Sequence, residues 1–318
     1  MGEDSTTTKK SAFLARINEI APLIRQGAFR SEDVGAGMKM RLKRLLRYRG
    51  AYLSHIAARL GVSRRGDAPA TLFWGRTVLL PVGDVNTRSL RRFGMLGGEE
   101  CRLISFFVRH IKDDDTFYDI GANYGFYSML AQELIQKGEV HAFEPSEAVF
   151  PYLAQIQKEG TFLNQCALAD TVGTLSFFDT SSQHQSGKST LMEEVAGLNR
   201  AQGTKVAISA TTLDEYCTTH TPPTIMKIDV EGGEAKVLAG ARATLRRYAP
   251  TVAIELWSGE RSRFSRSAIE LLRELGYSPF LLTSAGGTEP MTFDELEEYL
   301  SRNRTDNNFI FQKDRLAF

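Results

Sequence analysis

The sequence has little cysteine, almost no net charge and no long hydrophobic run. Its 318 residues include three cysteines, Cys101, Cys166 and Cys217, none of them in a C-x-x-C pair. This spacing favours neither a zinc site nor a disulfide framework, and scattered thiols are typical of a reducing cytoplasm. The formal net charge of +1 disfavours a protein whose whole surface binds nucleic acid.

Membrane-targeting signals are also missing. The first residues are polar and acidic, unlike a signal peptide, and no apolar run approaches the roughly 20 residues of a membrane-spanning helix. We therefore expect a cytoplasmic protein without a transmembrane segment. Peripheral contact with a membrane stays open, because residues 39–49 carry six basic residues and no acid. That stretch is either the solvated face of a predicted helix over 38–60 or a contact with an anionic surface or partner.

Two segments are predicted ahead of the main domain. Residues 1–68 form a helical, basic extension, in which 1–10 are expected to be disordered and 11–26 repeat apolar residues at helical spacing. Residues 69–114 are expected to form a β-hairpin that turns at Gly75, followed by a helix that leads into the core.

From residue 115 to 318, short apolar runs alternate with helical stretches. This alternation predicts a doubly wound α/β sheet. The predicted strands cover 116–120, 139–143, 161–165, 173–179, 204–209, 224–229, 251–256, 277–282 and 307–312, and the predicted helices cover 124–136, 147–158, 233–247 and 265–275. Residues 181–203 are polar and irregular, so they are expected to form a lid-like insertion over a substrate.

The first motif that carries chemistry is Asp119-Ile120-Gly121-Ala122-Asn123-Tyr124-Gly125, where a predicted strand ends and a helix begins. Its glycines allow a sharp turn and a close approach of a ligand to the backbone. A dinucleotide site would need G-x-G-x-x-G, which is missing, and Asp119 would repel a pyrophosphate. The same carboxylate suits the cationic amino-acid end of S-adenosylmethionine.

Three further motifs follow along the chain. Glu144 ends the next predicted strand, where a carboxylate accepts hydrogen bonds from ribose hydroxyls in nucleoside-binding proteins. The segment 164–170 follows the third strand and offers small apolar residues to a base. The segment Lys227-Ile228-Asp229-Val230-Glu231-Gly232-Gly233-Glu234 follows the fourth strand and faces the predicted binding crevice, although its acids could also cap the next helix.

Together these motifs resemble the FkbM family of S-adenosylmethionine-dependent methyltransferases. Such proteins carry D-x-G-A-N-x-G, A-F-E-P, N-x-A-L-x-D and K-I-D-V-E-G-x-E in this order, and the corresponding residues here are 119–125, 142–145, 164–170 and 227–234. The third motif departs from the pattern by one extra residue. The likeness covers roughly residues 97–312, so it leaves the first 95 residues unexplained.

The resemblance implies a Rossmann-like class I methyltransferase domain over 115–318, with a seven-stranded sheet whose last strand is antiparallel and with helices on both faces. It implies that the cofactor S-adenosylmethionine is held by Asp119, Gly121, Ala122, Asn123, Gly125, Glu144, Ala167 and Asp229. Asp229, Glu231 and Glu255 would stand near the point of methyl transfer. A divalent metal is permitted by the acids but not required, and no metal ligand is assigned.

The implied reaction is O-methylation of a sugar, glycolipid or natural product. A hydroxyl is a poor nucleophile, so a general base is expected, with Asp229 as first candidate and Glu231 as second. His184, in the insertion, is a third candidate, although a surface histidine is the simpler interpretation.

Alternatives to a small-molecule or glycan acceptor remain open. The chain could methylate RNA or protein, or it could be an inactive methyltransferase-like binding module. An NAD-dependent dehydrogenase is disfavoured because G-x-G-x-x-G is missing. The sequence leaves the oligomeric state open, a homodimer included.

Overall fold

The computed structural model describes residues 2–25, 66–97, 100–198, 203–302 and 307–313. Its contacts divide the chain into two compact units, residues 11–98 and residues 1–10 with 99–318. The predicted helix over 38–60 and the basic stretch 39–49 lie outside the described residues. The domain boundaries predicted from the sequence remain predictions.

The smaller unit is built from most of a long helix, a β-hairpin and a short helix. Helix α1 (Gly2–Arg25) buries Phe13, Ile17 and Ile20, as its apolar spacing predicts. Strands β1 (Asp67–Thr71) and β2 (Thr77–Pro81) pair antiparallel, so the predicted hairpin is confirmed, and α2 (Thr87–Phe93) follows.

The first ten residues depart from the sequence prediction. They were expected to be disordered, but Gly2 to Lys10 form the first turns of α1. The Lys9 ammonium donates to the Glu133 carboxylate at 2.7 Å, and the Lys10 ammonium donates to the Ile111 carbonyl at 2.5 Å. These contacts hold a polar segment that has no apolar pattern of its own. Because the contact partners are more than 100 residues away, the local sequence does not predict them.

The larger unit contains an eight-stranded sheet. Its strands are β3 (Thr116–Ile120), β4 (Glu139–Phe143), β5 (Thr161–Asn164), β9 (Ile225–Ile228), β10 (Thr251–Glu255), β11 (Ser278–Leu282), β12 (Thr288–Pro290) and β13 (Asn308–Gln312). They lie in the order β12-β11-β13-β10-β9-β3-β4-β5. The last strand, β13, is antiparallel to both neighbours, as predicted. Seven strands match the expected arrangement, and β12 adds an unpredicted eighth at the edge.

A second, three-stranded sheet holds β6 (Ala167–Leu168), β7 (Gly173–Asp179) and β8 (Thr204–Thr211) in the order β6-β8-β7. The sequence analysis identifies 173–179 and 204–209 as strands but does not separate them from the main sheet. The insertion 181–203 connects β7 to β8 and includes the short helix α6 (Glu193–Leu198).

The helices of the larger unit, besides the start of α1, are α3 (Glu100–His110), α4 (Phe126–Leu134), α5 (Phe150–Leu153), α6, α7 (Leu213–Tyr216), α8 (Glu234–Ala239), α9 (Arg242–Tyr248), α10 (Ser262–Glu274) and α11 (Phe293–Ser301). The single helix predicted over 233–247 is divided into α8 and α9. Among the residues the structure describes, no helix is both long and apolar enough to cross a membrane.

Candidate functional site

The candidate site lies at the carboxyl ends of four adjacent strands, β4, β3, β9 and β10. The chain leaves β3 toward β4 on one side and returns to β9 on the other, so β3 and β9 flank a topological switch point. In open parallel sheets, ligands bind in the crevice at such a point. Asp119, Glu144, Asp229 and Glu255 are the acids at these four strand ends.

The loop after β3 is held close to both neighbouring strands. The backbone N–H groups of Gly121 and Ala122 donate to the Phe143 carbonyl at 3.1 and 2.9 Å. Gly121 has φ +81°, and a Cβ there would lie 1.9 Å from the carbonyl oxygen of Asp229. Only glycine therefore fits, and the loop after β3 lies against the loop that carries Asp229.

Asp119 lies beneath this loop and is completely buried. Its Oδ2 accepts hydrogen bonds from the Ser128 N–H at 2.9 Å and the Ser128 hydroxyl at 2.6 Å. Its Oδ1 accepts no hydrogen bond from any described residue and lies 4.0 Å from the Lys227 ammonium. Burial raises the pKa of Asp119, although Lys227 and Ser128 oppose the shift. A buried carboxylate oxygen that accepts no hydrogen bond can still accept one from a cationic ligand.

Glu144 follows β4 and is also buried. Its two carboxylate oxygens accept backbone N–H groups from Asn123 at 3.0 Å and Ser146 at 2.9 Å. Burial raises its pKa to about 7, and the two N–H donors oppose that shift. Because each carboxylate oxygen has two lone pairs, Glu144 can still accept hydroxyl donors.

A cavity of about 260 Å³ is lined in part by Glu147, Asp179, Val206 and Ile208. The Ser146 hydroxyl, two residues after Glu144, donates to the Asp179 carboxylate at 2.6 Å. Ile208 belongs to the same apolar cluster as Ala167, the residue predicted near the adenine. The cavity is thus connected to Glu144 through the Ser146–Asp179 bond and to Ala167 through Ile208, although neither residue lines it.

Asp229 follows β9 and is half-buried, with 34% of its side chain exposed. Its Oδ2 accepts a hydrogen bond from the Lys227 ammonium at 3.0 Å. A carboxylate oxygen of Glu255 lies within 4.8 Å of one of Asp229, close enough for the two groups to titrate together. Burial acts to raise the pKa of Asp229, but Lys227 and Glu255 outweigh it and the pKa is lowered.

Asp229, Glu231 and Glu255 each present a carboxylate oxygen within 4.8 Å of the others. Three carboxylates this close repel one another unless protons or a cation lie between them. Burial, reinforced by Asp229, raises the pKa of both Glu231 and Glu255 well above the ordinary range. The structure therefore brings together the first two of the three predicted base candidates and Glu255.

Glu234, the last acid of this motif, has a structural role. It is buried, and its Oε1 accepts the backbone N–H groups of Val230 and Gly232 at 3.2 and 3.1 Å. These bonds hold the loop that carries Asp229 and Glu231. Within this loop, Glu231 has a positive φ of +54°. Glu234 is the first residue of α8, and both bonds join its carboxyl to the loop before that helix.

The insertion contacts both loops of the site. The Asn123 side-chain amide donates to the Ser186 hydroxyl at 3.2 Å, and the Thr190 hydroxyl donates to the Glu231 carbonyl at 2.7 Å. His184 lies in the same insertion with an exposed side chain. Among the described residues, no hydrogen bond joins it to Asp229 or Glu231, so its catalytic role remains a prediction without geometric support.

Three residues of the site were not given a role by sequence reasoning. Lys227 is buried between Asp119 and Asp229, and its ammonium lies 5.1 Å from the centre of the Tyr127 ring. The Tyr127 hydroxyl donates to Glu100, whose other carboxylate oxygen accepts from Asn308 at 3.0 Å. Lys227 could have been noticed as a charge within a buried strand, but Glu100 belongs to a distant helix and has no local signal.

The comparisons agree with this arrangement. Residues 119–306 match the family described as the methyltransferase FkbM domain. This match covers more than half of the chain and includes all four strand-end acids. No curated protein matches the chain at the threshold of significance.

Several solved structures are similar to the larger part of the chain. A methyltransferase FkbM from Methylobacillus flagellatus is 13% identical, with a TM-score of 0.42 over 71% of this chain and 54% of that protein. The chain thus spans about half the length of that relative. A precorrin-6y C5,15-methyltransferase from Geobacter metallireducens is 14% identical, with a TM-score of 0.37 over 67% and 86% of the two chains. Fibrillarin from Aeropyrum pernix, which contains S-adenosyl-L-methionine, is 13% identical, with a TM-score of 0.38 over 66% and 74%.

Proposed function

The chain belongs to the FkbM family of methyltransferases, and on that premise we propose that it transfers the methyl group of S-adenosylmethionine to a hydroxyl oxygen of a sugar, glycolipid or other natural product. One observation carries the proposal. The glycine loop after β3, Glu144 after β4, and the acids after β9 and β10 converge on one crevice. A cofactor-binding half and an acidic half thus meet at the switch point of the sheet.

The cofactor would be held by the residues on the β3 and β4 side of the crevice. Glu144 would accept hydrogen bonds from the ribose hydroxyls, and the buried oxygen of Asp119 would favour the cationic end of the molecule. Ala122 and Asn123 would present backbone and amide groups, while Gly121 and Gly125 keep the loop open to a ligand. The cavity lined by Val206 and Ile208, next to Ala167, offers room for the base.

The acidic half would prepare the acceptor. S-adenosylmethionine, when bound, supplies a methyl group on a positively charged sulfur. Asp229 would accept a hydrogen bond from the acceptor hydroxyl, orient its oxygen toward that methyl and take the proton as the oxygen–carbon bond forms. Glu231, whose pKa is raised by burial, is the second candidate for this proton. The negative charge of the acids also favours a positively charged ligand over a negatively charged one in the crevice.

The insertion would complete the acceptor side. Ser186 and Thr190 connect it to the cofactor loop and to the Glu231 loop, so its position depends on both halves. Its polar composition, rich in serine and glutamine, suits a hydroxylated acceptor. This composition is the feature that favours a sugar-like acceptor over an apolar one.

The test is methyl transfer from isotopically labelled S-adenosylmethionine to a panel of glycosides, glycolipids and hydroxylated metabolites. We expect Asp229→Asn, assayed at saturating cofactor, to lower transfer at least about 100-fold, the usual contribution of a general base. The matched control is Asp113→Asn, because Asp113 forms its ion pair with Lys137 on an exposed surface.

Normal turnover by D229N would exclude Asp229 as the base and leave Glu231 to be tested. Labelling of RNA or protein, with no labelling of the small acceptors, would replace the proposed substrate class with a macromolecule. Cofactor binding with no transfer to any acceptor class would support the alternative of a binding module.

A further inference from the structure

Lys227 is a buried lysine whose place in the sheet is unusual. It is 4% exposed and lies directly opposite Asp119 of β3 in the register of the parallel strands. Its other neighbour in β10 is Ala253, and the other neighbour of Asp119 in β4 is Ala142. Across β10, β9, β3 and β4, the paired residues are therefore alanine, lysine, aspartate and alanine. The lysine and the aspartate form a polar pair between two small apolar residues.

The ammonium of Lys227 connects the two halves of the site. It lies 3.0 Å from Oδ2 of Asp229 and 4.0 Å from Oδ1 of Asp119, the carboxylate oxygen without a hydrogen bond. Helix α4 contributes the Tyr127 ring, 5.1 Å away, and α3 contributes the charge of Glu100. On its other side, Asp229 faces Glu255 of β10 and Glu231 of its own loop.

Among the described residues, Lys227 is the cation that lies within 4.0 Å of both Asp119 and Asp229, whereas Arg261 and Lys188 act on Glu231. Burial acts against the charge of Lys227, but Asp229, Asp119 and Glu100 raise its pKa, so it remains an ammonium. If the ammonium were removed, Asp119 and Asp229 would face each other across a buried space without a counterion. One of them would then take up a proton, because two carboxylates in such a site do not both ionise.

We infer that Lys227 is a positioning residue whose ammonium joins Asp119 on the cofactor side to Asp229 on the acceptor side, so that the cationic cofactor meets both carboxylates already ionised. The inference rests on the proposed function, because it presumes that these two carboxylates face the cofactor and the acceptor. Without the lysine, the cofactor would have to displace a proton before it could bind.

The experiment is calorimetric titration of S-adenosylmethionine at about pH 7 in two buffers that differ in ionisation enthalpy, which counts the protons released. We expect Lys227→Met to bind roughly tenfold more weakly than the wild-type protein and to release close to one additional proton. Glu144 also titrates near this pH, but its contribution is common to both proteins and cancels in the difference.

Two controls separate the lysine charge from general effects. Lys137→Met removes an exposed ion pair with Asp113 and should match the wild-type protein in affinity and proton count. Lys227→Arg keeps the charge and should release no additional proton, even if its larger side chain weakens binding. An unchanged proton count in K227M would overturn the inference. Failure of the wild-type protein to bind the cofactor would instead overturn the proposed function.

If K227M is too unstable for calorimetry near neutral pH, the pH dependence of its melting temperature provides a second test. In K227M, a carboxyl with a raised pKa stabilises the folded state at low pH and loses that contribution as the pH rises. The deficit in melting temperature relative to the wild-type protein should therefore shrink between about pH 8 and pH 5. A deficit that does not change with pH, or a variant that is unfolded at both values, would show that the lysine is only structural.

Discussion

Glu234 shapes the loop that presents the two base candidates, although it does not face the acceptor itself. Its carboxyl is buried and accepts the backbone N–H groups of Val230 and Gly232. Burial raises its pKa from the model-compound value of 4.5 to about 7, with the N–H donors opposing the shift. Folding therefore favours the protonated carboxyl, and this residue makes the stability of the site depend on pH.

Glu234→Gln should remove that pH dependence, because the amide stays neutral while its oxygen still accepts both N–H groups. The stability contributed by the raised pKa is complete below about pH 4.5 and is lost as the pH rises through about 7. The wild-type free energy of unfolding should therefore fall relative to E234Q, by up to about 3 kcal/mol at pH 8. Denaturant unfolding at several pH values measures this difference in the free energy of unfolding. The control is Glu159→Gln, because Glu159 is exposed. A constant difference would contradict this account.

For individual residues, the sequence predicts the acids at the strand ends better than it predicts the residues that hold them in place. Asp119, Glu144 and Asp229 could be identified because strand ends and glycine turns fix where their backbones lie. The bridging position of Lys227 follows only from the pairing of β3 with β9, which joins residues 108 positions apart. The contact of Glu100 with Tyr127 depends on how α3 packs against α4, and no local sequence pattern predicts that packing.

Among the elements, the insertion links the two halves of the site. Thr190 is 1% exposed, its backbone pairs with Phe178, and its hydroxyl donates to the Glu231 carbonyl. Residues 181–198 therefore include ordered turns and the short helix α6 rather than a featureless loop. This order suggests that the insertion is positioned before the acceptor binds.

Thr190→Val should loosen the insertion while preserving side-chain volume. Loss of the hydroxyl leaves a carbonyl without its partner, which costs about 1–3 kcal/mol. We expect faster amide hydrogen exchange in residues 186–192 and an unchanged pattern in β3 and β4. Thr190→Ser, which keeps the hydroxyl, should restore most of the protection. Exchange in T190V that is indistinguishable from that of the wild-type protein would mean that the hydrogen bond does not hold the insertion.

The strands and most helices could be predicted because hydrophobic runs and turns define them locally. The structure confirms β3 and β4 at the predicted bounds. The helix predicted over 233–247 is interrupted at Gly240, which follows α8, and a Cβ at this position would lie 1.9 Å from the Ala169 carbonyl oxygen. That contact is tertiary, so helical periodicity continues through a position where the helix itself ends.

For the whole molecule, the alternation of strands and helices predicts a doubly wound sheet, and the family resemblance implies seven strands with an antiparallel last one. The eighth strand is three residues long, and a run that short carries no usable periodicity. The separate sheet of β6, β7 and β8 has the same local pattern as the core strands, so only pairing distinguishes it. The acceptor depends on insertion side chains that follow no family motif, and its chemistry therefore remains a proposal.

The central claim, that the crevice between β4 and β9 binds S-adenosylmethionine through Glu144, is tested most directly by calorimetric titration of the cofactor. We expect the wild-type protein to bind it and Glu144→Ala to weaken binding at least about tenfold, since charged hydrogen bonds contribute about 1.5–3 kcal/mol each. Exposed Glu159→Ala should leave the affinity unchanged. No binding by the wild-type protein at about millimolar cofactor, or equal affinity in E144A, would contradict the account.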